Sequence, residues 1–316
     1  MSKRILLYLT ILFSTINLVA QEVDSTKNEE DDFFNDKHKK HWWKNWDDDW
    51  LNWEFKGKPF MEVNYGLGSI DQKNMSYEFA KIGMVELKLG YSTRENFHEE
   101  KVVEFRDRYF FVSRLGSDLK STDAKLNELR SSMWRFGFSK RSGYGYKFNE
   151  FYVLPYNSMG IVWAGLDMKD YPPLIWPAVY PPLEGQIKAE KDAHFLDRIN
   201  QQIKFGVTRE SGINFDFASS IGLNVGYETS VLFPRYLIWK HFGSYIIESI
   251  GFGLLDKFID EVSNSSPLSA PFVNFILKGA YQYAFYTLTK DKMNWPFNTE
   301  SPLTYENFKF GVTFTF

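Results

Sequence analysis

The chain has 316 residues, a formal net charge of -3 and no cysteine. Its near-balanced charge carries no general attraction for nucleic acid, and the lack of cysteine excludes disulfides, thiolate metal sites and a cysteine nucleophile. Aromatic residues reach 18% and charged residues 24%, with a mean hydropathy of -0.36. Membrane helices would show long apolar runs, whereas a membrane β-barrel dilutes its lipid-facing residues one for one with polar lumen residues.

In chain order, Met1-Ser2-Lys3-Arg4 puts positive charge ahead of a low-charge run from Ile5 to Leu18, followed by Val19-Ala20-Gln21. This layout predicts a secretory signal peptide over residues 1–20 with cleavage after Ala20; an uncleaved anchor is the alternative. Residues 21–58 form a charged, Trp-rich segment in which Trp43, Trp46, Trp50 and Trp53 recur at helical spacing. Tryptophan favours the headgroup region, so these four side chains predict contact with the membrane interface on the periplasmic side. Closure of a periplasmic mouth and stacking of sugars are the other readings.

From 59 to 232 the period is two. Met61, Val63, Tyr65 and Leu67 alternate with Glu62, Asn64 and Gly66; Val85, Leu87, Leu89 and Tyr91 with Glu86, Lys88 and Gly90; Trp134, Phe136 and Phe138 with Arg135 and Gly137. Alternate residues face opposite sides of a strand, which gives each segment an apolar and a polar face. Lys140-Arg141-Ser142-Gly143 and Arg209-Glu210-Ser211-Gly212 read as polar turns. Ile213 to Tyr227 keeps one phase and reads as one long strand. Lys101 to Arg114 sets Asp107 in phase with Val103, Phe105, Tyr109 and Phe111, which predicts a turn or bulge near Arg106-Asp107-Arg108. Met159 to Leu166 is apolar on both faces and reads as a strand or a buried connection. A Pro-rich loop lies near 171–184, and Glu184 to Asn200 reads as a charged helical part of the same excursion.

Over 233–290 the period changes to about 3.6. Phe233 to Val262 predicts one helix, with Pro234 in its first turn, and Pro271 to Leu288 predicts a second. The pair forms a helical hairpin with three placements: plugging a barrel lumen, packing at a mouth, or standing apart as a bundle. Burial in or against the barrel is preferred, because two apolar helices need a partner surface. Arg235, Lys240 and Glu248 make the first helix a poor membrane span.

The segment 303–316 closes the pattern. Phe308, Phe310, Val312, Phe314 and Phe316 share one face and Lys309, Gly311, Thr313 and Thr315 the other. An alternating strand ending on an aromatic residue resembles the last strand of bacterial outer-membrane β-barrel proteins. That resemblance implies a location in the bacterial outer membrane, contact with its lipids, recognition of this strand by the barrel-assembly machinery and closure against the first strand. The fold expected is mainly β: an antiparallel transmembrane β-barrel of roughly 8–12 strands with an α-helical hairpin before the last strand.

No residue pattern specifies chemistry. Lysines surround the His38/His41 pair and disfavour a cation there; His241 and Glu248 share a helical face as a polar pair; no phosphate loop or nucleophile elbow occurs. No catalytic, cofactor-binding or metal-binding residue is assigned, and no cofactor. The leading function is a non-enzymatic barrel, structural or passing a solute, with the helices plugging or gating the lumen. An outer-membrane enzyme acting on lipid or glycan and a secreted soluble β-rich binding module stay open.

Overall fold

In the computed structural model, which describes residues 56–75, 78–98, 101–120, 128–169, 184–217 and 220–316, period-two segments become long antiparallel strands. These are β1 (Lys58–Asp71), β3 (Ile82–His98), β4 (Val102–Gly116), β5 (Glu128–Phe148), β6 (Phe151–Lys169), β7 (Ile203–Phe217), β8 (Ile221–Leu232) and β9 (Leu303–Thr315). A two-residue β2 (Glu78–Phe79) joins the start of β5 in parallel. The eight long strands pair in sequence, and β9 pairs with β1 from Phe60↔Thr315 to Asp71↔Thr304, which closes the ring. Closure leaves the eight long strands without an edge, so each has a ladder partner on both sides.

The two rims differ. At one, β3–β4, β5–β6 and β7–β8 are joined by short connections, of which Asn149-Glu150 is the tightest; Asn149 takes a φ of 54°, which asparagine tolerates. At the other rim lie the long excursions, carrying helices α1 (Glu184–Ile199), α2 (Ile238–Ser265) and α3 (Ala270–Asp291).

Inside and outside follow from which side chains meet across the ring. Lys88 on β3 reaches Glu210 on β7, and Arg135 on β5 reaches Glu228 on β8. Strands that are not neighbours touch only through the lumen, so Glu62, Glu86, Lys88, Arg135, Glu210, Glu228 and Lys309 point inward. The opposite phase, including Val63, Leu89, Trp134, Phe136, Val225 and Phe310, forms an apolar outer wall.

The alternation of β1, β3, β5 and β9 agrees with the sequence reading, and the eight-stranded ring falls within the expected range. Five readings are corrected. Residues 140–143 and 209–212 are not turns: β5 and β7 run straight through them, and Arg141 and Glu210 are buried in the lumen. Arg106-Asp107-Arg108 holds no bulge. The phase of Asp107 faces inward, and its carboxylate is bound to Arg141 in the lumen. Ile213 to Tyr227 is two strands, β7 ending at Phe217 and β8 beginning at Ile221. Pro234 precedes α2 instead of lying in its first turn. Met159 to Leu166 is part of β6 and Glu184 to Ile199 is helical. The leader, the Trp43-Trp46-Trp50-Trp53 segment, His38, His41 and the prolines of 171–182 lie outside the described residues.

An arginine at the middle of the outer wall tests the assignment of faces. Phe310→Arg, at a half-exposed position of β9, is expected to lower stability in lipid vesicles by about 2–4 kcal/mol. Denaturant titration followed by tryptophan fluorescence measures it, and an unchanged midpoint would place Phe310 away from lipid.

Candidate functional site

The lumen is filled along its length by three layers. At the long-loop rim, Phe195, Leu196 and Ile199 of α1 pack with Ile70, Phe79, Ile82, Leu129, Leu166 and Met168 in one apolar cluster. Thus α1, whose sequence is mostly polar, stoppers the barrel with its few apolar side chains. Toward the short-turn rim, Val103, Phe105, Leu154 and Tyr156 form a smaller cluster, with Arg94 paired to Asp216 below it.

Between these caps lies an ionic layer with five carboxylates, Glu62, Glu86, Asp107, Glu210 and Glu228, and four cations, Lys88, Arg135, Arg141 and Lys309, all buried. Arg141 donates through Nε to Asp107 at 2.7 Å and through Nη1 to Glu62 at 2.9 Å, and stacks over the Tyr156 ring at 4.9 Å. Arg135 binds Glu228 and, at 2.9 Å, Glu86. Lys88 sits 2.9 Å from Glu62 and 3.2 Å from Glu210. Tyr156 donates to Glu210 at 2.5 Å, and Asn64 donates to Glu62 at 2.9 Å. A charge removed from water is tolerable only with such partners, because desolvation otherwise costs several kcal/mol per ion.

Three of the carboxylates, on Glu86, Glu210 and Glu228, place oxygens within 4.8 Å of one another, a spacing that suits a metal ion. The Lys309 ammonium already stands among them, at 2.9, 2.5 and 2.5 Å, and supplies the positive charge. The ionic layer leaves a cavity of about 10 Å³ beside Lys88, Tyr109 and Glu210, enough for a single water.

The second distinctive region is on the outer wall. Contacts of the α2–α3 hairpin with the barrel fall on outward-facing residues, so the hairpin lies against the outside of the ring and is not a lumen plug. Asn157 and Ser211, neighbours on the outer faces of β6 and β7, bond to each other at 2.7 Å. Asn157 also donates to the Phe275 carbonyl of α3, and Gln282 donates to the Ser158 carbonyl. Gly279 lets α3 approach this patch, since a Cβ there would lie 3.3 Å from both Asn157 Oδ1 and Ser211 Oγ. Arg209, outward on β7, is clasped by Glu248 of α2 through two 2.7 Å bonds and covered by the Phe285 ring. A groove of about 550 Å³ runs between α3 and β7–β8, lined by Phe275, Ile276, Ala280 and Tyr283 and by Ser211 and Thr229.

The sequence-predicted His241–Glu248 pair is not formed. Glu248 is committed to Arg209, while His241 lies against the Phe233 ring, with its Nε2 3.3 Å from the Arg235 carbonyl. Sequence reasoning missed Arg141, Glu210 and Arg209 because polar residues beside glycine resemble turns. Following the period through Arg135, Gly137, Ser139, Arg141 and Gly143 without a break is the signal that finds Arg141.

Replacing Arg135 with methionine removes the guanidinium shared by Glu86 and Glu228 and leaves the Lys309 ammonium to balance them together with Glu210, and is expected to cost about 3–5 kcal/mol. Adding Glu228→Gln to that variant should recover part of the loss. Urea unfolding in detergent micelles reads both, and strictly additive losses would show that the two side chains are not coupled.

A closed antiparallel ring with an apolar outer wall is the form in which β-strands cross bacterial outer membranes. By that architecture the chain folds as a closed eight-stranded β-barrel with an apolar outer wall. No protein-family model and no curated protein matches the sequence. Among solved structures it is similar to Neisserial surface protein A (NspA), at 9% identity over 83% of this chain and 100% of that one, with a TM-score of 0.40. Ail, the attachment invasion locus protein of Yersinia pestis, is 8% identical over 83% of this chain and 99% of that one, with a TM-score of 0.30. The outer membrane protein OprG from Pseudomonas aeruginosa is 8% identical over 83% and 97% of the two chains, with a TM-score of 0.26.

Proposed function

We propose that the protein is a closed, non-enzymatic structural barrel of the outer membrane that passes no solute through its lumen. The observation that carries this reading is the buried ionic layer, in which every charge contacts an opposite one around a water-sized cavity. Barrels of eight strands have interiors just wide enough for side chains to fill, whereas a channel needs many more strands. The apolar stopper supplied by α1 supports it from the long-loop rim. Gating by the α2–α3 hairpin has no support in this arrangement, because the hairpin's contacts are with the outside of the wall.

Two further parts of the reading concern partners. The outward row Phe308, Phe310, Val312 and Phe314 on β9, continued by the exposed Phe316, offers the barrel-assembly machinery an apolar strand face. The tryptophans at 43, 46, 50 and 53 remain the proposed contact with the membrane interface.

Planar-bilayer recording of the purified protein in concentrated KCl tests the closed lumen. The expected trace shows baseline current only. Reproducible single-channel steps, abolished by antibody or protease digestion, would refute a sealed barrel.

A further inference from the structure

We propose that the α2–α3 hairpin is embedded in the bilayer beside the barrel, crossing from the long-loop rim to the short-turn rim with its outer face against lipid acyl chains. The inference rests on the outer-membrane reading and adds a second spanning element to it.

The path of the hairpin is fixed at three levels. At the long-loop rim, Lys290 of α3 pairs with Asp71 at 3.3 Å and Glu306 at 3.2 Å, while Arg235 and Lys240, just before and at the start of α2, bind Glu300 and the Asn298 carbonyl. Midway along the strands, Gln282 and Glu248 reach Ser158 and Arg209. At the far end, Tyr146, close to the Asn149-Glu150 turn, donates to the carbonyl of Leu268 in the link between the helices at 2.8 Å. The hairpin therefore runs the height of the wall. Its 28 and 22 residues correspond to ~42 and ~33 Å of helix, against a hydrocarbon core of ~30 Å.

The chemistry of its two faces agrees. Away from the barrel, Trp239, Phe242, Ile250, Leu254, Phe272 and Ile276 are all 46% exposed or more, with Trp239 at 84%. They continue the apolar belt of the uncovered wall, and a lipid surface is the partner that satisfies both. Toward the barrel, the polar groups Glu248, Asn274 and Gln282 are buried. The wall shows the same need in reverse: outward Arg209, Asn157 and Ser211 would meet hydrocarbon if bare, and a mid-depth arginine on the lipid face is costly.

No described helix is long and apolar enough to cross a membrane alone. The obstacles are the charges. Arg235 and Lys240 lie at the long-loop rim, Glu248 is neutralised by Arg209, Lys278 pairs with Asp256 of the neighbouring helix at 2.6 Å, and Lys257, Asp260 and Glu261 fall in the last turns of α2, toward the hairpin tip. The hairpin crosses because the wall supplies partners that lipid would not. Close helix packing completes it: a Cβ on Gly251 would fall 2.0 Å from the Tyr281 hydroxyl, the small-residue contact that membrane helices favour.

The absence of cysteine makes single-cysteine variants direct reporters. In intact cells a membrane-impermeant maleimide should label Asn298→Cys, at the long-loop rim. Leu268→Cys, at the hairpin tip, and Glu150→Cys, at the short-turn rim, should react only after the outer membrane is permeabilised. Labelling of Leu268→Cys from outside, with the two reference cysteines behaving as expected, overturns the embedded hairpin alone. Failure of Asn298→Cys and Glu150→Cys to report opposite sides overturns the spanning barrel itself. As a second measurement, nitroxides at Ile250→Cys and Phe272→Cys should be relaxed by oxygen far more than by a water-soluble nickel chelate. Relaxation mainly by nickel, or by neither reagent as inside a protein interface, would overturn contact with lipid.

Discussion

Every charge of the buried ionic layer meets an opposite charge, and the rest of the structure is arranged around that constraint. Eight strands enclose too little space for bulk solvent, so side chains pointing inward must satisfy one another. Arg135 and Arg141 supply planar donors that reach two carboxylates each, and Lys88 and Lys309 add point charges between them. Without disulfides, these cross-ring contacts join strands that the backbone ladder does not bring together. A buried ion pair adds little net stability over an apolar one, but losing one partner is severe. The layer therefore fixes which strands face one another more than it deepens the energy well.

The same rule operates on the outer wall with a different solution. Lumen charges find partners on other strands, whereas Arg209 finds its partner on a helix. Where α2 and α3 cover the wall it carries Asn157, Arg209 and Ser211 among apolar side chains such as Val207 and Val231, whereas the uncovered faces of β1, β3 and β9 are mainly apolar. One barrel thus has two kinds of exterior, and the boundary between them follows the edge of the hairpin.

Much of this was legible in the sequence, for a physical reason. Period-two alternation survives wherever one face is uniformly apolar, so β1, β3, the first half of β5 and β9 could be read directly. It failed where the outer face became polar. Arg209, Ser211 and Asn157 look like turn or surface residues until the helices above them are known, and that contact spans long sequence separations. Asp107 misled in the opposite way: aromatic neighbours suggested lipid, but Phe105 and Tyr109 are lumen residues that flank Asp107, the partner of Arg141. The helices themselves were visible from their period, with α2 shifted to 238–265 and α3 to 270–291. Their placement was not, because an apolar stripe does not say which surface it faces.

Leu232 at the end of β8 pairs directly with Leu303 at the start of β9, so the barrel ladder is continuous across the whole intervening insertion. Topologically the hairpin is an appendix that could be excised with the ring's hydrogen bonding intact. Electrostatically it is not, since Arg209 would lose Glu248 and the Asn157–Ser211 pair its cover. Insertion and wall therefore form one heritable unit: a change of either alone is penalised, and exchange between related barrels would have to carry the outer faces of β6 and β7 together with residues 233–302.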